Sequence, residues 1–279
     1  MRRFLNHQAE VRSALYAECV SFSTKSPALY DVALSIVSCQ FVRYFDEQQL
    51  KQKIDWSMFL THSEGLIFEP LHDLLNAISL ILLSGRPSSE GIGSGGSNGR
   101  EVQTLTLSFD SVITQLISMS ISDLGIDEKS SFNLEEREGR ANYSIALLAS
   151  ACQEACLVYM ERLQYKDSKG ILENIHKLQS WSQKGSIRKG SVNLYPKNAF
   201  MLPLPCLLRL LENSASMKEA EMLQYVWKSC HVRITQWRLH FEDDRDSKVS
   251  MLLRLVCLRF KEEMSRVNLE DVTENSLVC

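Results

Sequence analysis

The sequence predicts an all-α protein, an α-solenoid of antiparallel helix pairs with armadillo or HEAT character. Three observations carry that expectation. Apolar residues recur at helical spacing in almost every segment, no segment shows the sustained two-residue alternation of a half-buried strand, and most breaks between the helical patterns are short. Val11, Ala14, Leu15, Cys19 and Phe22 mark the first helix, and Leu29, Val32, Ala33, Ile36 and Val37 the second. Between them, Ser26-Pro27 offers an N-cap hydroxyl and a proline at the first helical position, where the missing N–H costs nothing. Glu69-Pro70 repeats the device ahead of Leu71, Leu74, Leu75, Ile78 and Leu82. Further patterns follow at Phe109, Val112, Ile113, Leu116 and Ile117, from Ile145 to Tyr159, at Ile171, Leu172, Ile175 and Leu178, and at Leu204, Leu207, Leu208 and Leu211. Two more lie around Met222, Val226 and Ile234 and around Val249, Leu252 and Phe260.

Half of the twelve glycines fall between Gly85 and Gly99, a density at which ordering the backbone is expensive. Residues 85–107 are therefore expected to be a flexible loop separating N-terminal helical repeats (1–84) from repeats that continue the solenoid (108–279). A second loop is expected over residues 183–197.

Composition narrows the function. With 44% hydrophobic and 23% charged residues, the 279-residue chain falls among globular proteins rather than disordered ones. Its net charge of -3 excludes the positive excess by which a small autonomous domain grips phosphates. The eight cysteines are scattered, mostly inside apolar helical patterns, which is the usage of a reduced intracellular protein. Met1-Arg2-Arg3-Phe4 runs straight into polar residues, so no signal-peptide core is expected, and the longest apolar run, Ala77 to Leu83, is too short to cross a bilayer.

Reactive constellations are sparse. Gly91, Gly93 and Gly96 match a dinucleotide fingerprint formally, but that motif works only between a strand and a helix, and here it lies inside a linker. Cys152 and Cys156 share a helix face without the partners a tetrahedral metal site needs. Cys230-His231 sets a thiol beside an imidazole in sequence, where a catalytic dyad needs them together in space. Glu242, Asp243, Asp244 and Asp246 lack the alternation and central glycine of a calcium loop. Lys184, Arg188, Lys189 and Lys197, with Tyr195, are the best candidates for contacts to DNA phosphates. The four tryptophans sit at helix-face positions and are expected to be core anchors. No cofactor or metal is expected, and no active site assembles.

One ordered set of blocks is more specific. The helix around Val11-Arg12-Ser13-Ala14-Leu15-Tyr16, then Tyr44-Phe45-Asp46, residues 49–60, and Leu66-Ile67-Phe68-Glu69-Pro70-Leu71-His72-Asp73-Leu74-Leu75 precede the low-complexity loop. Beyond it come a helix over 109–121 and the acidic turn Ser122-Asp123-Leu124-Gly125-Ile126-Asp127-Glu128-Lys129-Ser130-Ser131-Phe132. This order resembles the Fanconi anaemia group I family, in which the block matching residues 66–75 reads much like S-L-Q-E-P-L-D-Y-L-L and the turn like E-D-F-E-L-D-K-S-A-D-F. The likeness continues weakly to about residue 223. The resemblance implies an internal segment of a giant α-solenoid, nuclear and non-enzymatic. It also implies that the segment acts in DNA interstrand-crosslink repair with a paralogous clamp subunit, and on branched or duplex DNA within that complex. It further implies a ubiquitin-acceptor position at Ser118, where this chain has no lysine. The nearest one, Lys129, lies past the turn, which leaves recognition by ubiquitin ligase machinery in doubt. The family's damage-kinase Ser-Gln sites are matched only by Ser182-Gln183. A generic HEAT- or armadillo-like protein adaptor with no DNA role is the alternative, and an all-helical enzyme is a third reading that the residues do not advertise.

Overall fold

In the computed structural model, the described residues are 9–46, 48–85, 98–160, 162–163 and 168–186, with 206, 210, 222, 224–226, 228 and 229 beyond them. Two compact units divide the chain, Met1–Leu202 and Pro203–Cys279. In the second, the described residues are helical, and Cys206, Leu210, Met222 and Val226 are buried. The first unit contains α1 (Ala9–Lys25), α2 (Tyr30–Tyr44), α3 (Leu71–Ser84), α4 (Asn98–Ser118), α5 (Arg137–Tyr159) and α6 (Lys169–Ser186). Short 3-10 turns join them at Pro27–Leu29, Gln49–Lys51, Trp56–Phe59 and Ile121–Leu124. Among the described residues the protein is all-helical, and the one β contact is an isolated antiparallel bridge between Leu60 and Ile67.

α1 packs on α2 and α3, α3 also packs on α5, and α5 carries α4 on one side and α6 on another. Apolar spacing explains the inner helices directly. α3 buries Leu71, Leu74, Leu75, Ile78 and Leu82, and α4 buries Leu105, Phe109, Val112, Ile113, Leu116 and Ile117. Each such side chain contributes about 1.5–3 kcal/mol when fully buried. Aromatic rings bridge the helices: Phe109 lies 5.7 Å from Phe41 of α2 and meets Tyr159 of α5 edge-on at 4.9 Å. Trp56 and Trp181 are core anchors, as expected.

Four expectations need correction. α1 is a helix, but its buried stripe is Arg12, Tyr16, Cys19 and Ser23, with Val11 exposed, because a buried carboxylate recruits Arg12 and Tyr16 inward. α2 turns inward Ala33, Leu34, Val37, Phe41 and Tyr44, leaving Val32 and Leu29 exposed, since the aromatic pair Phe41 and Tyr44 fixes its rotation. Ser26-Pro27 does not cap α2. It opens a 3-10 turn in which Leu29 N–H bonds Ser26 O at 2.9 Å, and Leu29 is the N-cap. Finally, α4 begins at Asn98, so residues 98–107, expected as loop, are helix, anchored by buried Leu105, while residues 86–97 lie outside the described set.

Two glycines let the connecting segments close onto the start of α5. Gly65 has φ +69, and a Cβ there would come within 2.9 Å of Ala141 N. A Cβ on Gly139 would collide with the Asn133 carbonyl. The approach brings residues 61–67 and 131–136 against the same helical turn.

Candidate functional site at the end of α4

α4 ends in a structured, acidic turn. Its apolar face, Val112, Ile113, Leu116 and Ile117, is buried as the spacing predicts, and Ser118 is exposed. The Ser118 hydroxyl donates back to Thr114 O at 2.9 Å and to Gln115 O at 3.2 Å. A helix end leaves carbonyls without intrahelical partners. Here, side-chain amides from neighbouring elements supply some. Gln153 of α5 donates to Leu116 O at 3.3 Å, and Asn174 of α6 donates to Met119 O at 3.0 Å. In the reverse direction, Gln115 donates to Leu50 O at 2.7 Å, binding α4 to the segment after α2.

Two carboxylates organise the turn itself. Asp123 accepts from the Ser120 N–H at 2.9 Å and Ser120 Oγ at 3.0 Å, and it pairs with Lys53 Nζ at 2.6 Å. The Lys53 ammonium, followed by the Ser120 donors, pulls the Asp123 carboxyl down to about 2. Gly125 then takes a left-handed conformation, φ 67. Asp127 accepts from Ser130 Oγ at 3.0 Å and from the Lys129 and Ser130 N–H groups at 2.9 and 2.8 Å, which lowers its pKa, with the Ser130 hydroxyl the largest cause. Lys177 of α6 lies 3.5 Å from Glu128 and 5.4 Å above the Trp181 ring, and Phe132 sits 6.2 Å from Trp181.

A second polar centre is buried between α1, α2 and the start of α3. Glu69 Oε1 accepts from Tyr16 at 2.7 Å, and Oε2 accepts from Gln40 at 2.8 Å and Tyr44 at 2.9 Å. Arg12 Nη1 is 3.4 Å from the same carboxylate, its Nη2 donates to Phe68 O, and the guanidinium stacks 4.2 Å over the Phe68 ring. Both ions are 0% exposed. Burial, then the Glu69 charge, pushes the Tyr16 and Tyr44 phenols up. Engaged by four side chains, Glu69 is an anchor rather than a base.

The residues singled out from sequence do not converge. Ser118 stands at the end of α4 and Lys129 within the acidic turn, both exposed. Ser182 and Lys184 stand in α6, which runs through Ser186, so residues 183–186, expected as loop, are helix. Arg188, Lys189 and Lys197 lie outside the described residues, as do residues 91–96, Cys230, His231 and the acidic run 242–246. Cys152 and Cys156 are fully buried in α5, and burial raises both thiols, which suits core packing rather than nucleophilic or metal chemistry. Among the described residues, no group of three His, Cys, Asp or Glu could hold a metal ion, and no helix is long and apolar enough to cross a membrane. Sequence reasoning missed Lys53, which the fold brings to the turn from 70 residues before Asp123, and the five-residue centre on Glu69. No local signal could have found either, because the partners are far apart in the chain.

Residues 1–184, a stretch that includes both polar centres, match the family model of FANCI helical domain 2. No curated protein matches the chain.

Proposed function

The chain belongs to the FANCI helical domain 2 family, which relates it to the Fanconi pathway, and on that premise we propose that it is a nuclear, non-enzymatic scaffold segment in DNA interstrand-crosslink repair. Its work is to stack helices into a solenoid that pairs with a paralogous clamp subunit and helps enclose DNA. The match over residues 1–184 carries this reading. Packing supports the solenoid in part: α1, α3 and α5 touch in succession, and α1 with α2 and α5 with α6 pack as neighbours in sequence, as stacked helix pairs do.

The end of α4 takes no conjugation role in this proposal. Ser118 has no amine, and its hydroxyl is committed to two backbone carbonyls. DNA contact is assigned to Lys184, Arg188, Lys189 and Lys197 within the complex, since the chain's net charge is -3.

Gene disruption tests the function. Cells lacking the chain should be hypersensitive to a bifunctional crosslinker while tolerating a monofunctional alkylator normally. Equal tolerance of both agents would overturn the repair role and leave a helical protein adaptor. For DNA, Arg188→Ala with Lys189→Ala should abolish most binding by the full chain and flatten its salt dependence. Affinity that survives the double substitution would move the contact elsewhere.

A further inference from the structure

Acid-directed serine/threonine kinases select a hydroxyl whose third following residue is a carboxylate, a specificity carried by charge pattern. Among the described residues only Thr61, ahead of Glu64, and Ser120, ahead of Asp123, meet that spacing. The fold separates the two. Thr61 is half-buried, and its Oγ1 accepts the Leu66 N–H at 3.0 Å. Ser120 is exposed, stands just past the end of α4, and has φ -91 and ψ 157, the extended backbone that a kinase cleft takes. Carboxylates continue on its C-terminal side at Asp127 and Glu128, and the first cation in that direction is Lys129.

A phosphate at this position would not be neutral toward its surroundings. Ser120 Oγ donates to Asp123 Oδ2 at 3.0 Å and lies 2.7 Å from Ser122 Oγ. Esterification removes that donor and sets a dianion against the Asp123 carboxylate. The end of α4 is also close by, where the helix dipole disfavours negative charge. A cation stands ready to compensate. Lys53 Nζ lies 2.6 Å from Asp123 Oδ1 on a side chain that is 82% exposed, within a side-chain swing of the phosphate, the stronger acceptor of the two. We propose that Ser120 is a phosphoacceptor for an acid-directed kinase, and that the phosphate draws Lys53 away from Asp123 and so opens the acidic turn. In the transfer, Ser120 Oγ attacks the γ-phosphorus of ATP and gives its proton to the kinase's base. The Oγ–P bond forms as the bond from phosphorus to the β,γ-bridging oxygen breaks, and ADP leaves with that electron pair. The site stands whether or not the chain works in crosslink repair.

Incubating the full chain with ATP and an acid-directed casein kinase, then fragmenting its peptides in a mass spectrometer, should place a phosphate on Ser120. Ser120→Ala should abolish that modification, and Asp123→Asn should slow it about tenfold or more, because the carboxylate that the kinase reads is gone. Phosphate on Thr61 or Ser122 in place of Ser120, or none on a chain whose circular dichroism is helical, overturns the site. The change of partner is read separately by phosphorus NMR. Phosphoserine loses its second proton at about pH 6, and a nearby ammonium favours the dianion, so the wild-type phosphate should titrate at lower pH than that of Lys53→Ala. Lys53 is on the surface, and that variant keeps the fold. Coincident titration curves would overturn the transfer of Lys53 from Asp123 to the phosphate.

Discussion

Glu69 and Asp123 each meet one cation and several hydroxyl or N–H donors, yet Glu69 is buried and Asp123 lies at the surface beside a lysine that is 82% exposed. The same kind of cluster therefore works under two different rules. Around Glu69, removing Arg12 and the carboxylate from water is costly, and only the complete set of partners offsets it. Around Asp123, water remains a competent substitute for any partner lost, and salt screens the pair. The buried centre fixes which face of α1 points inward, whereas the surface cluster shapes a turn whose place is already set by α4, α5 and α6.

Breaking the buried centre should have the largest effect. Glu69→Ala strands Arg12 without its counter-charge and should cost about 3–5 kcal/mol of stability in denaturant titration. A loss under ~1 kcal/mol would mean that Arg12 finds water, and the contrast with Asp123 would vanish. Tyr16→Phe removes one donor to a charged acceptor and should cost about 1.5–3 kcal/mol by the same measurement. Alkali sharpens the contrast without mutation. The Tyr16 and Tyr44 phenols are raised in the folded state, so their contribution is intact below the ordinary tyrosine pKa of about 10 and is lost as pH climbs above it. Tyr16→Phe with Tyr44→Phe should blunt that alkaline loss in a pH series of melting temperatures. The smallest effect belongs to Lys53→Ala, a loss close to the error of denaturant titration and shrinking further in high salt. Because the Asp123 pKa is lowered, its contribution holds above about pH 4 and fades as pH falls toward 2, with Lys53→Ala removing part of that acid dependence.

Apolar periodicity made the inner helices legible: α3, α4 and α6 bury the leucines and isoleucines that the spacing picked out. It misplaced the faces of α1 and α2 because those faces are set by partners elsewhere in the chain. Spacing places Val11 in the apolar stripe of the first helix, and Arg12 outside it. Their exposures are 37% and 0% because Glu69, more than fifty residues on, supplies what the guanidinium needs. Glycine density likewise hid the beginning of α4, where Leu105 finds a buried place despite Asn98-Gly99 at the helix start. At the candidate site, the acidic turn was readable as a motif. Lys53, Gln153 and Asn174 were not, since only tertiary packing brings them to it.

The order in which the polypeptide is made gives the Glu69 centre a temporal meaning. Arg12, Tyr16, Gln40 and Tyr44 are all synthesised before the carboxylate that holds them. At about 5–20 residues per second, α1 and α2 wait a few seconds for Glu69. During that interval, docking the pair would bury a guanidinium with no counter-ion, so the two helices cannot settle as an independent hairpin. Arrival of Glu69-Pro70 removes that barrier and starts α3 in the same step. Chains halted on the ribosome before residue 69 should thus be cleaved readily by protease within α1, and those halted after α3 has emerged should resist.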